Sequence, residues 1–216
     1  VSSHNVRLAL MRLPNQLKKG LSIFKQTYFG GLNRYLDYDF KYLFKQFFRK
    51  KKNMLLLPKK WFLTEPPSEP FVFFGLHMQP ETTIDVYAPF YSNQFHMIEL
   101  ITRAMPVTHK LLVKLHKSDA DNYSRHQLKK LKKLPRLELV DPNSSSRSFI
   151  ENCSLLITIT GNMGLEGALL GKSVIIFGKK NIEYFPNVTR VKDMTDFPAL
   201  IRSKLDSENP SRDLLV

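Results

Sequence analysis

Residues 158–178, TITGNMGLEGALLGKSVIIFG, decide the fold. The apolar run they belong to, Leu155 to Thr160, is too short for a buried helix and rich in Ile and Thr, so it reads as a core strand. Gly161 and Gly164 let the backbone turn sharply and approach whatever docks there. A helix is expected from about Gly164 to Gly171, and SVIIFG, residues 173–178, follows at once as another strand. The unit is strand, glycine turn, helix, strand.

The same rhythm extends on both sides of this unit. FVFFGLH (71–77), KLLVKLH (110–116), LELVD (137–141) and TRVKD (189–193) read as further strands. Helix-like stretches lie between them: NQFHMIELITRAM, SRHQLKKLKKL, SRSFIENC and GLEGALLG, with FPALIRSKL after the last strand. Such alternation predicts an α/β, Rossmann-like fold, a parallel sheet of five or six strands with helices on both faces and right-handed crossovers.

Upstream, TEPPSEP at 64–70 interrupts helix and strand patterns alike and marks the main boundary. Residues 70–216 are expected to form the Rossmann-like domain, and residues 1–69 a basic, helical connecting segment. Apolar positions such as Leu21, Phe24, Tyr28, Tyr35, Tyr42 and Phe48 suit helices better than strands.

With 216 residues and 43% hydrophobic content, the chain can bury one proper core. Its one cysteine, Cys153, forms no internal disulfide and suits a reducing compartment. No apolar run reaches the roughly 18 residues of a membrane span, and the first residues lack a signal-peptide layout. These features fit a cytoplasmic protein. The opening VSSHNV, without Met, reads as the inside of a longer one.

The net charge of +14 is unevenly spread: residues 1–70 hold 14 Lys/Arg against 4 Asp/Glu, and residues 71–216 hold 19 against 15. The excess sits in the front segment, interleaved with aromatics. That pattern suits an anionic membrane surface, an acidic partner or nucleic acid, or a solvated helix face over an aromatic stripe. No nucleic-acid motif accompanies it. Peripheral contact with an anionic membrane through residues 41–60 is one expectation and a solvated helix face the other, and nucleic acid is not expected.

In parallel sheets of this kind, ligands bind at the carboxyl ends of the strands. His77 ends one strand, Lys114 and His116 another, Asp141 a third, and Thr158 and Thr160 with the glycine turn a fourth. All should share one rim. Glu166 is expected in the first turn of the following helix, able to accept hydrogen bonds from vicinal hydroxyls such as those of a ribose. The amides of Gly161, Asn162, Met163 and Gly164 would face a phosphate. Each signal also has a plain structural reading. The glycine turn also suits close packing, and Glu166 a surface residue facing the helix dipole. Lys114 and His116 share a face by period two and suit a solvated strand end, while His77 and Glu81 suit a turn fixed by Pro80.

Taken in order and spacing, FFGLHMQPET, NQFHMIELITRAMP, KLLVKLHKSD and TITGNMGLEGALLGKSVIIFG resemble the capsule polysaccharide biosynthesis proteins. These are glycosyltransferases of GT-B architecture that include Kdo transferases using CMP-Kdo. The resemblance covers about residues 70–195. Lys117 and Ser173 stand where that family's motifs usually carry proline. What the resemblance implies is the C-terminal, donor-binding half of a GT-B fold, taking a CMP- or UDP-linked sugar and passing it to a saccharide or glycolipid acceptor. It implies donor binding by Lys114, His116, Thr160, Gly161, Asn162, Met163, Gly164 and Glu166, and proton transfer by His77 and Glu81. It calls for no metal and no further cofactor, and for work in the cytoplasm, peripheral on the inner face of the membrane. A sugar-nucleotide 2-epimerase and a non-catalytic basic module are the alternatives.

Overall fold

The computed structural model describes residues 57–79, 81–179 and 181–206, together with Phe48. The expected front helices and most of the stretch 41–60, where membrane contact was expected, lie outside the described residues. The chain divides after Leu56, and the unit from Leu57 onward carries one parallel sheet.

Its strands are β1 (Phe62–Leu63), β2 (Phe71–Gly75), β3 (Lys110–Lys114), β4 (Leu137–Val140), β5 (Leu155–Thr158), β6 (Val174–Ile176) and β7 (Val188–Arg190). Among the described residues the sheet therefore has seven strands, against the five or six expected, in the order β1-β4-β3-β2-β5-β6-β7. The added strand is β1. It pairs parallel with β4, Phe62 against Leu139 and Leu63 against Val140, ahead of the proline cluster at 64–70. The expected boundary at 69/70 thus falls inside the sheet-bearing unit, which begins at Leu57.

All the ladders are parallel, and helices cover both faces. One face is packed by α2 (Gln94–Ala104), α3 (Arg125–Leu131) and α6 (Phe197–Asp206), through Ile98, Ile101, Leu128, Leu131, Phe197 and Ile201. The other is packed by α4 (Ser146–Asn152) and α5 (Asn162–Leu169), through Phe149, Ile150 and Ala168. A short helix, α1 (Thr82–Asp85), lies between β2 and α2. Strands covered on both faces must be apolar on both, and every residue of β2, Phe71 to Gly75, is buried.

The order explains the two faces. From central β2 the chain steps outward through β3 and β4, then returns to the other side of β2 and steps outward again through β5, β6 and β7. Right-handed crossovers in opposite directions place their helices on opposite faces. The direction reverses between β2 and β5, and that is where a doubly wound sheet opens a crevice beyond its carboxyl ends. No helix among the described residues is long and apolar enough to cross a membrane.

Candidate functional site

The loop that follows β2 carries His77, and it is held rigidly. The buried Gln94 side chain clamps its backbone: the His77 N–H donates to Gln94 Oε1 at 2.7 Å, and Gln94 Nε2 donates to the His77 carbonyl at 3.0 Å. Gln79 Nε2 reaches the Ser92 carbonyl from the same loop, at 2.6 Å. Both backbone polar groups of a buried residue are thereby bonded to one side chain, which fixes the ring's starting point.

The ring itself bridges the crevice between β2 and β5. His77 Nε2 lies 3.2 Å from Thr158 Oγ1, the last residue of β5, and Nδ1 lies 3.6 Å from Glu81 Oε2. The Gly161 N–H donates to the same threonine oxygen at 3.3 Å. The arrangement that uses every group has Thr158 donating to Nε2, with the ring proton on Nδ1 directed at the carboxylate. His77 is only 6% exposed and Glu81 33%, so the carboxylate is the solvent-facing member of the pair.

Gly161 is required by this contact and not by its backbone angles. Its φ of −69° and ψ of 158° are extended values open to any residue. A Cβ there would meet His77 Cε1 at 2.8 Å and Thr158 Oγ1 at 3.1 Å. Likewise Gly164, where a Cβ would lie 2.9 Å from Thr158 Cγ2, lets α5 settle onto the strand end. The helix consequently begins at Asn162, not near Gly164. Two expectations change with it. Glu166 sits in the second turn, where the helix dipole has faded, and not in the first. The Gly161 and Gly164 amides are spent inside the turn, on Thr158 Oγ1 and the Gly161 carbonyl, so neither is turned to a phosphate.

Across the sheet, Lys114 ends β3 beside Gly75 of β2. Its Nζ donates to Ser146 Oγ at 2.9 Å, the first residue of α4. Burial lowers its pKa below the ordinary lysine value, and the Lys117 cation adds to this, while the carboxylates of Asp141 and Glu166 oppose it. Four charged groups thus sense one another at this rim. His116, two residues on, accepts a hydrogen bond at Nδ1 from the Ser118 N–H at 3.3 Å, which leaves the proton of the neutral ring on Nε2. Its loop is stapled by buried Asp119, which accepts hydrogen bonds from Asn122 and Tyr123; burial and that carboxylate push the Tyr123 hydroxyl pKa up.

The geometry therefore brings two subclusters to the carboxyl rim: His77, Glu81, Thr158 and Gly161 between β2 and β5, and Lys114 with its charged neighbours beside β3. Thr160 is buried under the turn, its Cγ2 against Gly178, so its side chain packs and does not open onto the rim. Met163 turns inward, its thioether lying where a Cβ on Gly75 would be; Asn162 is exposed. Gln94 enters the resemblance as a glutamine before a helix, but its clamp on His77 is a structural finding. Ser146 had no signal beyond a serine-rich helix start.

A protein-family model described as capsule polysaccharide biosynthesis protein matches residues 45–198. The chain belongs to this family. Among solved structures, similarity extends to the beta Kdo 2,7 transferase KpsC of Thermosulfurimonas dismutans, at 14% identity over 69% of this chain and 47% of that one, with a TM-score of 0.48. Its beta Kdo 2,4 transferase is similar at 15% identity over 81% and 58%, with a TM-score of 0.41. The S. aureus MnaA–UDP structure is similar at 14% identity over 64% and 38%, with a TM-score of 0.46. This chain spans less than two thirds of each of these proteins. Likeness at this level carries no functional weight. No curated protein matches the chain significantly.

Proposed function

We propose that this chain carries the donor-binding, C-terminal half of a GT-B glycosyltransferase, transferring a sugar from a nucleotide-linked donor to a saccharide or glycolipid in capsule or surface polysaccharide synthesis. Family membership supports the class, and one observation carries the site: Lys114, half-buried at the end of a central strand, pinned by Ser146 and within electrostatic reach of Asp141, Lys117 and Glu166. A cation held part-way out of water, at the place where such sheets bind ligands, suits the phosphate of a sugar nucleotide.

In the reaction the acceptor oxygen bonds to the anomeric carbon, and the electron pair of the breaking bond leaves on the nucleotide phosphate. The Lys114 ammonium and the His116 Nε2–H stabilise that growing charge. The Asn162 and Met163 amides at the start of α5 lie in the same turn and would assist, while Gly161, Thr160 and Gly164 shape the turn that holds them. Glu166 accepts from ribose hydroxyls. The acceptor proton goes to Glu81, with His77 behind it, oriented by Thr158 and able to share the charge. CMP is favoured over UDP by the family resemblance, with CMP-Kdo as the donor. The enzyme works at the cytoplasmic face of the membrane, with residues 41–60 as a contact.

The test is a thermal shift with CMP, UDP and a short oligonucleotide. A nucleotide at a hundred times its dissociation constant raises stability by about 2.7 kcal/mol. A shift with CMP and none with the oligonucleotide is expected, and no shift with either nucleotide would overturn the reading.

A further inference from the structure

The outer face of α3 carries a field of exposed lysines that have no ion-pair partner among the described residues. From Asn122 to Leu137 the sequence carries six Lys/Arg and no Asp or Glu. Leu128 and Leu131 of α3 are buried in the core, which turns Lys129, Lys130 and Lys133 outward, all exposed. Lys132 differs: it is half-buried, donating to Glu138 Oε2 at 3.3 Å and to the Trp61 carbonyl at 3.5 Å. Arg125 lies over the Trp61 ring, its guanidinium carbon 5.6 Å from the centroid. These two contacts fasten the turn Lys59–Trp61 against α3, so the exposed Lys59 and Lys60 extend the same field. Among the described residues none of these five exposed lysines has an ion-pair partner.

We propose that the face formed by α3 and the Lys59–Trp61 turn docks on an anionic membrane surface. The proposal deepens the membrane contact put forward above and moves its centre from residues 41–60 to α3. Three observations favour a bilayer over a polyanionic strand. Lys129 and Lys130 lie on the outward face of α3, Lys133 just past its end, and Lys59 and Lys60 in the turn fastened to it, so the cations gather on one side as a field and not along a single line. They are lysines, strongly hydrated point charges suited to a diffuse surface potential, whereas bidentate phosphate recognition favours arginine. The Trp61 ring in the field lies under the Arg125 guanidinium and offers a base no open stacking platform on that face.

The test is co-sedimentation of the full chain with vesicles of phosphatidylcholine alone or mixed with phosphatidylglycerol, at one ionic strength, alongside a titration with a single-stranded oligonucleotide. The chain is expected to bind only the anionic vesicles. The variant Lys129→Glu/Lys130→Glu/Lys133→Glu should lose at least about tenfold in vesicle affinity, since each lysine near such a surface contributes substantially and independently. Its neutral counterpart, with Gln at the same positions, should show a smaller loss and covers the case in which charge reversal prevents folding. Nucleotide-induced thermal shifts should be unchanged in both, which separates this proposal from the donor site. Wild-type vesicle affinity in both variants would overturn it, as would equal binding to neutral vesicles or an oligonucleotide affinity exceeding that for anionic vesicles.

Discussion

Lys114 and Lys129 are the same residue type on the same sheet unit, and they live under opposite rules. At the rim, Lys114 is half-buried, bonded to Ser146 and tuned by neighbouring charges. On α3, Lys129 is exposed and has no ion-pair partner among the described residues. A charge held out of water by fixed partners acts on one ligand in one geometry. A solvated charge acts only as part of a field, within about a Debye length. The comparison teaches that the chain's excess positive charge says little by itself; burial and partners sort its lysines into a proposed site and a solvated surface.

The largest effect expected at the rim is structural. Gln94→Leu removes both hydrogen bonds that Gln94 makes to the buried His77 backbone, at about 1–3 kcal/mol for each. Chemical denaturation should report a midpoint well below wild type. A change no larger than that of a surface substitution would mean the loop is not held by this clamp. Gly161→Val comes next, because a branched side chain cannot share space with the His77 ring; overpacking of this kind costs typically about 1–3 kcal/mol. The His77 ring resonances in an NMR spectrum should move with it, and unchanged resonances would break the proposed contact. The triple substitution Lys129→Gln/Lys130→Gln/Lys133→Gln should be smallest, within roughly 0.5 kcal/mol in the same denaturation, as for surface residues without partners.

The two regions were not equally legible in the sequence. The strands were, because a sheet covered on both faces demands unbroken apolar runs such as FVFF. Strand β1 was hidden: two residues beside a proline cluster show no period, and only its pairing with β4 makes it a strand. The start of α5 was misplaced because glycine disfavours helix, yet Gly164 is needed inside it to pass Thr158, and packing outweighs that propensity. The rim was legible from one rule about parallel sheets. Its wiring was not, since Thr158 lies 81 residues from His77 and Ser146 lies 32 from Lys114. The lysine field on α3 escaped the charge count, which set the excess in residues 1–70, and only burial separates Lys132 from its exposed neighbours.

Protonation offers a way to sharpen the contrast. In the proposed site phosphate binding needs Lys114 as the ammonium, and its pKa is lowered chiefly by burial. Nucleotide affinity should therefore fall as pH rises through that lowered value, earlier than for an ordinary lysine. Glu166 holds the pKa up, so Glu166→Gln should shift the fall to still lower pH in a calorimetric pH series. A fall placed where exposed lysines titrate would remove Lys114 from the binding step.

The central claim is that the rim, and not the basic surface, holds the nucleotide. It is tested most directly by titrating CMP into the wild type, Lys114→Ala and Lys129→Glu/Lys130→Glu/Lys133→Glu at one pH and ionic strength. Lys114→Ala should weaken binding by roughly 1–3 kcal/mol, the range for a lost hydrogen bond to a charged group, while the α3 variant binds as the wild type does. Loss of binding in the α3 variant with wild-type affinity in Lys114→Ala would contradict the account and place the ligand on the lysine field.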